Sequence, residues 1–183
     1  MRRLPSASQT VGPFFNFALT TSPNLGILAR AGVPGERIRL AFRVTDGDGA
    51  PAEGDCMLEL WQADSAGSYA QTSADFSGFG RLETDQDGGC TFETVKPGRV
   101  ADPEGRVQAP HINVIVFARG LLKHLNTRVY FAGDPANVDD PVLALVPEER
   151  RSTLLAQRGE DDPETWRFDI RLQGDGETVF FDV

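Results

Sequence analysis

Long apolar runs are missing from this chain of 183 residues, and no stretch approaches the ~20 apolar residues needed to span a bilayer. The amino end, MRRLPSASQT, has two arginines with no apolar run behind them, so it does not read as a signal peptide. Positive charge is scarce as well. With 18 Lys and Arg against 27 Asp and Glu, the net charge of −9 argues against a nucleic-acid or anionic-membrane surface. Cysteine is nearly absent. Cys56 and Cys90 are the only two, they lack C-x-x-C spacing, and they are expected to be small, partly buried free thiols in a cytoplasmic protein. Neither an internal repeat nor a low-complexity segment occurs. G-x-S-x-G, the P-loop, the dinucleotide fingerprint and H-E-x-x-H are all missing, which removes the commonest hydrolase, nucleotide and zinc-protease readings.

What is present is mostly β. Arg37–Val44, RIRLAFRV, alternates apolar and polar residues with a period of two, the mark of a half-buried strand. Trp166–Leu172 repeats the pattern. Weaker strand signals cover Cys56–Trp61, Cys90–Val95, Ile112–Ala118, Thr127–Phe131 and Thr178–Asp182. Turn chemistry separates them in DGDG (Asp46–Gly49), DQDGG (Asp85–Gly89), KPG (Lys96–Gly98) and GDGE (Gly174–Glu177). The expectation is a mainly β, antiparallel β-sandwich spanning residues 36–183. One short helix is expected over Pro147–Arg158, with Pro and Glu at its start and Gly159 after its end. Residues 1–35 read as an irregular arm that packs on its own sandwich or on another chain. Its phenylalanines Phe14, Phe15 and Phe17 need cover from one or the other.

The chemistry-bearing side chains are few: His111 and His124, Tyr69 and Tyr130. Two tyrosines and two histidines suit a non-haem ferric centre, because phenolates are hard anionic donors and imidazoles complete the shell. Placement does not gather them. Tyr69 ends WQADSAGSY, a strand running into a loop that can face a cleft. Tyr130 lies amid strand residues and reads as a buried tyrosine with its hydroxyl satisfied, while His124 sits in a connection as a surface or packing residue. His111 and Asn113 in PHINVIV share one face of a strand. An H-x-H there would be a ligand pair; H-x-N is a metal site, a former one or ordinary structure.

SQTVGPFF (Ser8–Phe15), WQADSAGSY (Trp61–Tyr69), GRLETDQDG (Gly80–Gly88), TVKPG (Thr94–Gly98), APHINVIVFARG (Ala109–Gly120), NTRVYF (Asn126–Phe131) and RFDIRLQGDGETVFFDV (Arg167–Val183) follow one another over nearly the whole chain. With them the chain resembles the intradiol ring-cleavage dioxygenases, and within that family the iron-free, alpha-type subunits of heteromers. The resemblance implies a partner, a similar beta-type sandwich that binds Fe(III) through two tyrosines and an H-x-H pair. Tyr69 matches the first tyrosine and His111 the first histidine. Val100 stands where the second tyrosine is expected, and Asn113 where the second histidine is. The four are thus read as remnant ligand positions, with no metal and no catalytic residue in this chain.

The resemblance further implies that Thr10, Gly12, Pro13 and Arg119 complete the partner's cleft, where a small aromatic acid, protocatechuate, reacts with O₂. Arg119 would face the substrate's carboxylate. Two other readings stay open: a metal enzyme acting alone through Tyr69, His111 and Asn113, and a non-enzymatic sandwich that only binds partners.

Overall fold

The computed structural model describes residues 7–12, 17–52, 56–70 and 74–182. Among them the chain forms ten strands: β1 (Arg37–Thr45), β2 (Cys56–Gln62), β3 (Phe79–Glu83), β4 (Gly89–Val95), β5 (Val100–Ala101), β6 (Val107–Gln108), β7 (His111–Ala118), β8 (Leu125–Phe131), β9 (Leu155–Arg158) and β10 (Thr165–Arg171). Eight hydrogen-bond in the order β3-β2-β7-β8-β9-β10-β1-β4, and β5 pairs with β6 alone. The sheet folds over on itself at β9, which pairs with β8 on one side and β10 on the other. This is a mainly β, sandwich-like fold.

Alternation builds its core. β1 buries Ile38, Leu40, Phe42 and Val44, β10 buries Trp166, Phe168 and Ile170, and both turn arginines outward. They meet Leu58 and Leu60 of β2, Ile112, Val114 and Val116 of β7 and Phe131 of β8 in one apolar cluster. Phe42 lies edge-on to Phe92 and Phe168 at 5.7 and 5.8 Å. Burying each such side chain stabilises the fold by about 1.5–3 kcal/mol. Cys56 and Cys90 are free. Burial pushes the Cys56 thiol up to about 12, so it is not a reactive thiolate.

The arm region divides. Pro23–Gly26 forms a 3-10 turn, and Leu28 and Ala29 beyond it are buried, with bridges from Ile27 to Glu93 and from Ala29 to Phe76. Phe17 is 67% exposed. The expectations for Pro13, Phe14 and Phe15 fall outside the described residues.

Three local expectations are revised, and one strand, β3, was not anticipated. The short helix is present, but as a 3-10 helix over Glu148–Leu154, and the stretch from Leu155 to Arg158 is β9. Helix-forming residues there yield to the two ladders waiting for a strand between β8 and β10. The pairing is antiparallel except at β1–β10 and β8–β9, which are parallel. No hairpin ties either pair, and the long connection from β8 to β9 is the crossover a parallel pair requires. The stretch from Thr178 to Asp182 makes one bridge, Phe181 to Asn126, rather than a ladder. The Thr127 hydroxyl takes the Val179 carbonyl that a neighbouring strand would use. Edge strand β3 carries no alternation because Gly80 sits where a Cβ would come within 2.4 Å of Leu28.

The turn from Asp64 to Ser68 fixes the loop that ends in Tyr69. Asp64 accepts the Ala66 and Ser68 amides on its side chain, and its carbonyl accepts Gly98 N at 2.8 Å. Gly67 has φ +83°, and a Cβ there would lie 2.0 Å from the Arg99 carbonyl oxygen. Gly67→Ala is therefore expected to lower stability by about 2–4 kcal/mol, from left-handed strain plus a backbone clash. Urea unfolding measures it; a loss under about 0.5 kcal/mol would show that the loop yields freely.

Candidate functional site

β7 has two faces. Ile112, Val114, Val116 and Ala118 point into the core, so His111 and Asn113 share the opposite one. Register sets their neighbours: Tyr130 lies across from His111, while Arg128 and Trp61 flank Asn113 on either side. The Asn113 amide donates to the Tyr69 hydroxyl at 3.1 Å and to the Trp61 carbonyl at 3.3 Å. Tyr69 stacks on Trp61 with ring centroids 5.9 Å apart and planes 13° from parallel. Three of the four remnant positions are thus gathered by one strand face and one loop. The fourth, Val100, is the β5 partner of Gln108.

Residues that sequence reasoning passed over complete the cluster. Arg128 donates to Gln108 Oε1 at 2.6 Å and lies 3.4 Å from the Tyr130 hydroxyl. Tyr130, fully buried, donates to Asp140 at 3.0 Å, and Asp140 also accepts the Ala109 amide at 2.7 Å. The signal available for Arg128 was its i,i+2 spacing from Tyr130, which puts both on one face. Asp140, in a loop, had none. His124 is exposed, with its ring 5.5 Å from Phe117.

The Arg128 cation and the Asp140 carboxylate are the charges that act on the cluster, and burial holds its tyrosines and histidine in their neutral forms. Burial raises the Tyr69 phenol above its ordinary value, partly offset by the Asn113 hydrogen bond and the Arg128 charge. Burial drives Tyr130 upward too. His111, 2% exposed, is lowered to about 4, first by burial and then by the Arg128 charge. Its Nδ1 lies 2.8 Å from the Ala109 carbonyl.

A pH dependence follows. The unfolded histidine takes its proton near 6.5 and the native one only near 4, so the unfolded chain binds the extra proton between those values. Stability should hold above pH 6.5 and fall by about 3 kcal/mol as the pH drops to 4. His111→Gln should flatten that slope by one proton in denaturant melts across the window. An unchanged slope would mean that another group carries it.

The other predicted residues lie at the far end of β7. Arg119 and Gly120 follow the strand, and the Gly120 amide donates to Thr10 Oγ1 at 2.7 Å. Thr10, Val11 and Gly12 border an open groove of about 770 Å³ with Phe117, Leu121 and His124. A Cβ at Gly12 would meet nothing within 4 Å. Eight residues of strand separate His111 from Arg119, a span of about 26 Å.

The sandwich, the tyrosine loop and the H-x-N strand together define a dioxygenase framework, and a family model described as Dioxygenase matches residues 11–174. The chain belongs to this family, the intradiol dioxygenases. It is 46% identical over 194 residues to the protocatechuate 3,4-dioxygenase alpha chain of Burkholderia cepacia, covering 96% of each chain. It is 35% identical over 157 residues to the beta chain from the same organism, covering 76% of this chain and 66% of that one. Among solved structures, the dioxygenase domain of a carbohydrate-binding fusion protein from Streptomyces sp. SirexAA-E superposes with a TM-score of 0.64. The two are 29% identical, over 81% of this chain and 87% of that one.

Intradiol dioxygenases use Fe(III). The residues at the four remnant positions do not fit that ion. Val100 offers no donor atom, Asn113 turns an amide N–H toward Tyr69, and the phenol is pushed toward its protonated form. A neutral amide oxygen is in any case a poor ligand for a hard trivalent ion.

Proposed function

We propose that this chain is the iron-free, alpha-type subunit of a cytoplasmic protocatechuate 3,4-dioxygenase, with residues 1–35 as its arm and 36–183 as its sandwich domain. The enzyme opens the ring of protocatechuate between its two hydroxyl-bearing carbons, using O₂, to give 3-carboxy-cis,cis-muconate. A beta-type partner holds the ferric ion, which acts as Lewis acid and template for the catechol. This chain supplies part of the wall around the substrate.

The observation that carries this reading is the separation along β7. Arg119 stands eight strand residues from His111 and six from Asn113, about 20–26 Å, and Thr10 is bonded to the neighbouring Gly120, so the two suit a site on a neighbouring chain rather than one at His111 and Asn113. Each has a distinct task. Arg119 presents a permanent cation to the substrate carboxylate. Thr10 accepts from the Gly120 amide, which leaves its own hydroxyl proton to donate. Gly12 leaves room for a flat ring, and Pro13 is assigned to the same wall from the family resemblance.

Mixing tests the assignment. Oxygen uptake and loss of protocatechuate absorbance are measured for this chain alone, for a beta-type chain alone and for the two co-expressed. Turnover at the full rate only in the co-expressed sample supports the reading. Full turnover by this chain alone, or no complex, contradicts it.

A further inference from the structure

The outward arginines of β1, β9 and β10 fall into two groups. Arg37 and Arg39 of β1 pair with Glu93 and Asp162, and Arg158 of β9 pairs with Glu36. Among the described residues, the side chains of Arg43 and Arg167 make no ion pair or hydrogen bond. The Arg171 guanidinium donates only to the carbonyls of Gly47 and Gln173, at 3.0 and 3.4 Å. These three line one open trough of about 570 Å³, which runs over β9, β10 and β1, neighbours in the sheet. Ser152 of the Glu148–Leu154 helix borders it, and so do Asp169 and Asp175. Asp169 lies across from Arg43 in the β1–β10 register and between Arg167 and Arg171 along β10, yet it forms an ion pair with none of them. The chain has 27 acidic residues to 18 basic ones, so a shortage of carboxylates does not explain three arginines without partners in one concavity.

We propose that this trough is a binding site for a small, multiply charged oxyanion, a polycarboxylate or a polyphosphate. The two share one chemistry, oxygens that accept paired N–H groups from a planar guanidinium. The spacing suits such a ligand. Arg167 and Arg171 are four strand residues apart, about 13 Å at the backbone, and Arg43 stands beside their midpoint. Three long side chains can therefore reach one molecule held over the Asp169 position. Arg171 is the fixed member, half-buried and tied to two carbonyls that leave its charge uncompensated. Arg43 and Arg167 are exposed and supply the arms that close on the ligand. Ser152 adds a hydroxyl at the border, and the volume is that of a small-molecule pocket. Asp169 opposes an anion there, so it sets the affinity down rather than up. Every residue of the site belongs to this chain, so the proposal stands apart from the alpha-type reading.

Calorimetric titration of the full chain with citrate and with pyrophosphate, at one pH and one ionic strength, tests this. At least one of the two should bind at about one per chain, with Kd of about 0.1–1 mM, and the tighter one names the class of ligand. R43Q/R167Q should weaken that binding about tenfold or more while melting as the wild type does. Arg171 is left in place because it ties two turns together. D169N should tighten binding about 3–10-fold by removing a like charge from the middle of the site, a gain that a merely structural role would not give. R37Q/R39Q takes two paired arginines from the same strand and should leave the affinity within about twofold of wild type. No saturable binding of either anion below about 10 mM overturns the proposal. So does an equal loss in R37Q/R39Q, or a D169N variant that binds no tighter than wild type.

Discussion

Asp140→Ala should destabilise the chain by about 3–5 kcal/mol, the largest loss expected from any single truncation near the remnant site. Asp140 is fully buried, and its carboxylate accepts four hydrogen bonds. They come from the Ala109 amide at 2.7 Å, the Tyr130 hydroxyl at 3.0 Å, and the Val142 and Leu143 amides at 2.9 and 2.7 Å. Alanine leaves these donors without a partner, at about 1–3 kcal/mol for each one that water cannot reach. Asp140→Asn should lose less, because its amide oxygen can serve one side of the set while its N–H₂ opposes the other. Denaturant melts read both. An Ala variant within about 1 kcal/mol of wild type would mean that the loop from Asp134 to Val146 is not held to β7 and β8 through this carboxylate.

Arg119→Ala, assayed in the co-expressed enzyme, should raise KM for protocatechuate by about 10–100-fold with little change in kcat. That is the loss of one charge-assisted hydrogen bond made equally in ground and transition states. Catechol, which lacks the carboxylate, should show no such change. Arg119→Lys should recover only part of the loss, since a point charge replaces a planar fork. Unchanged KM and kcat in the Ala variant would take Arg119 out of substrate binding.

Legibility in the sequence followed the physics of each element. β1 and β10 could be read to within a residue at each end because one face is core and the other solvent, so burial writes a period of two into the chain. β9 could not, since its residues favour a helix and only the ladders of β8 and β10 make it a strand. β3 was hidden by Gly80, whose place is decided by Leu28 from a distant segment.

The site divides in the same way. Asn113 and Tyr69 came from local pattern and resemblance, and they do touch. Tyr130 was legible as a buried tyrosine with a satisfied hydroxyl. Its partner Asp140 was not, because it lies ten positions on, beyond the 3-10 helix of Pro135–Asp139, and only the fold brings it back. Gln108 and Arg128 look like ordinary polar residues until register places one beside Val100 and the other beside Asn113.

Iron analysis of purified protein tests the central claim most directly. In the complex with a beta-type chain the account predicts about one ferric ion per pair of chains, with the colour of phenolate ligation, and under about a tenth of an ion in this chain alone. A stoichiometric, coloured ferric site in this chain purified by itself would contradict it.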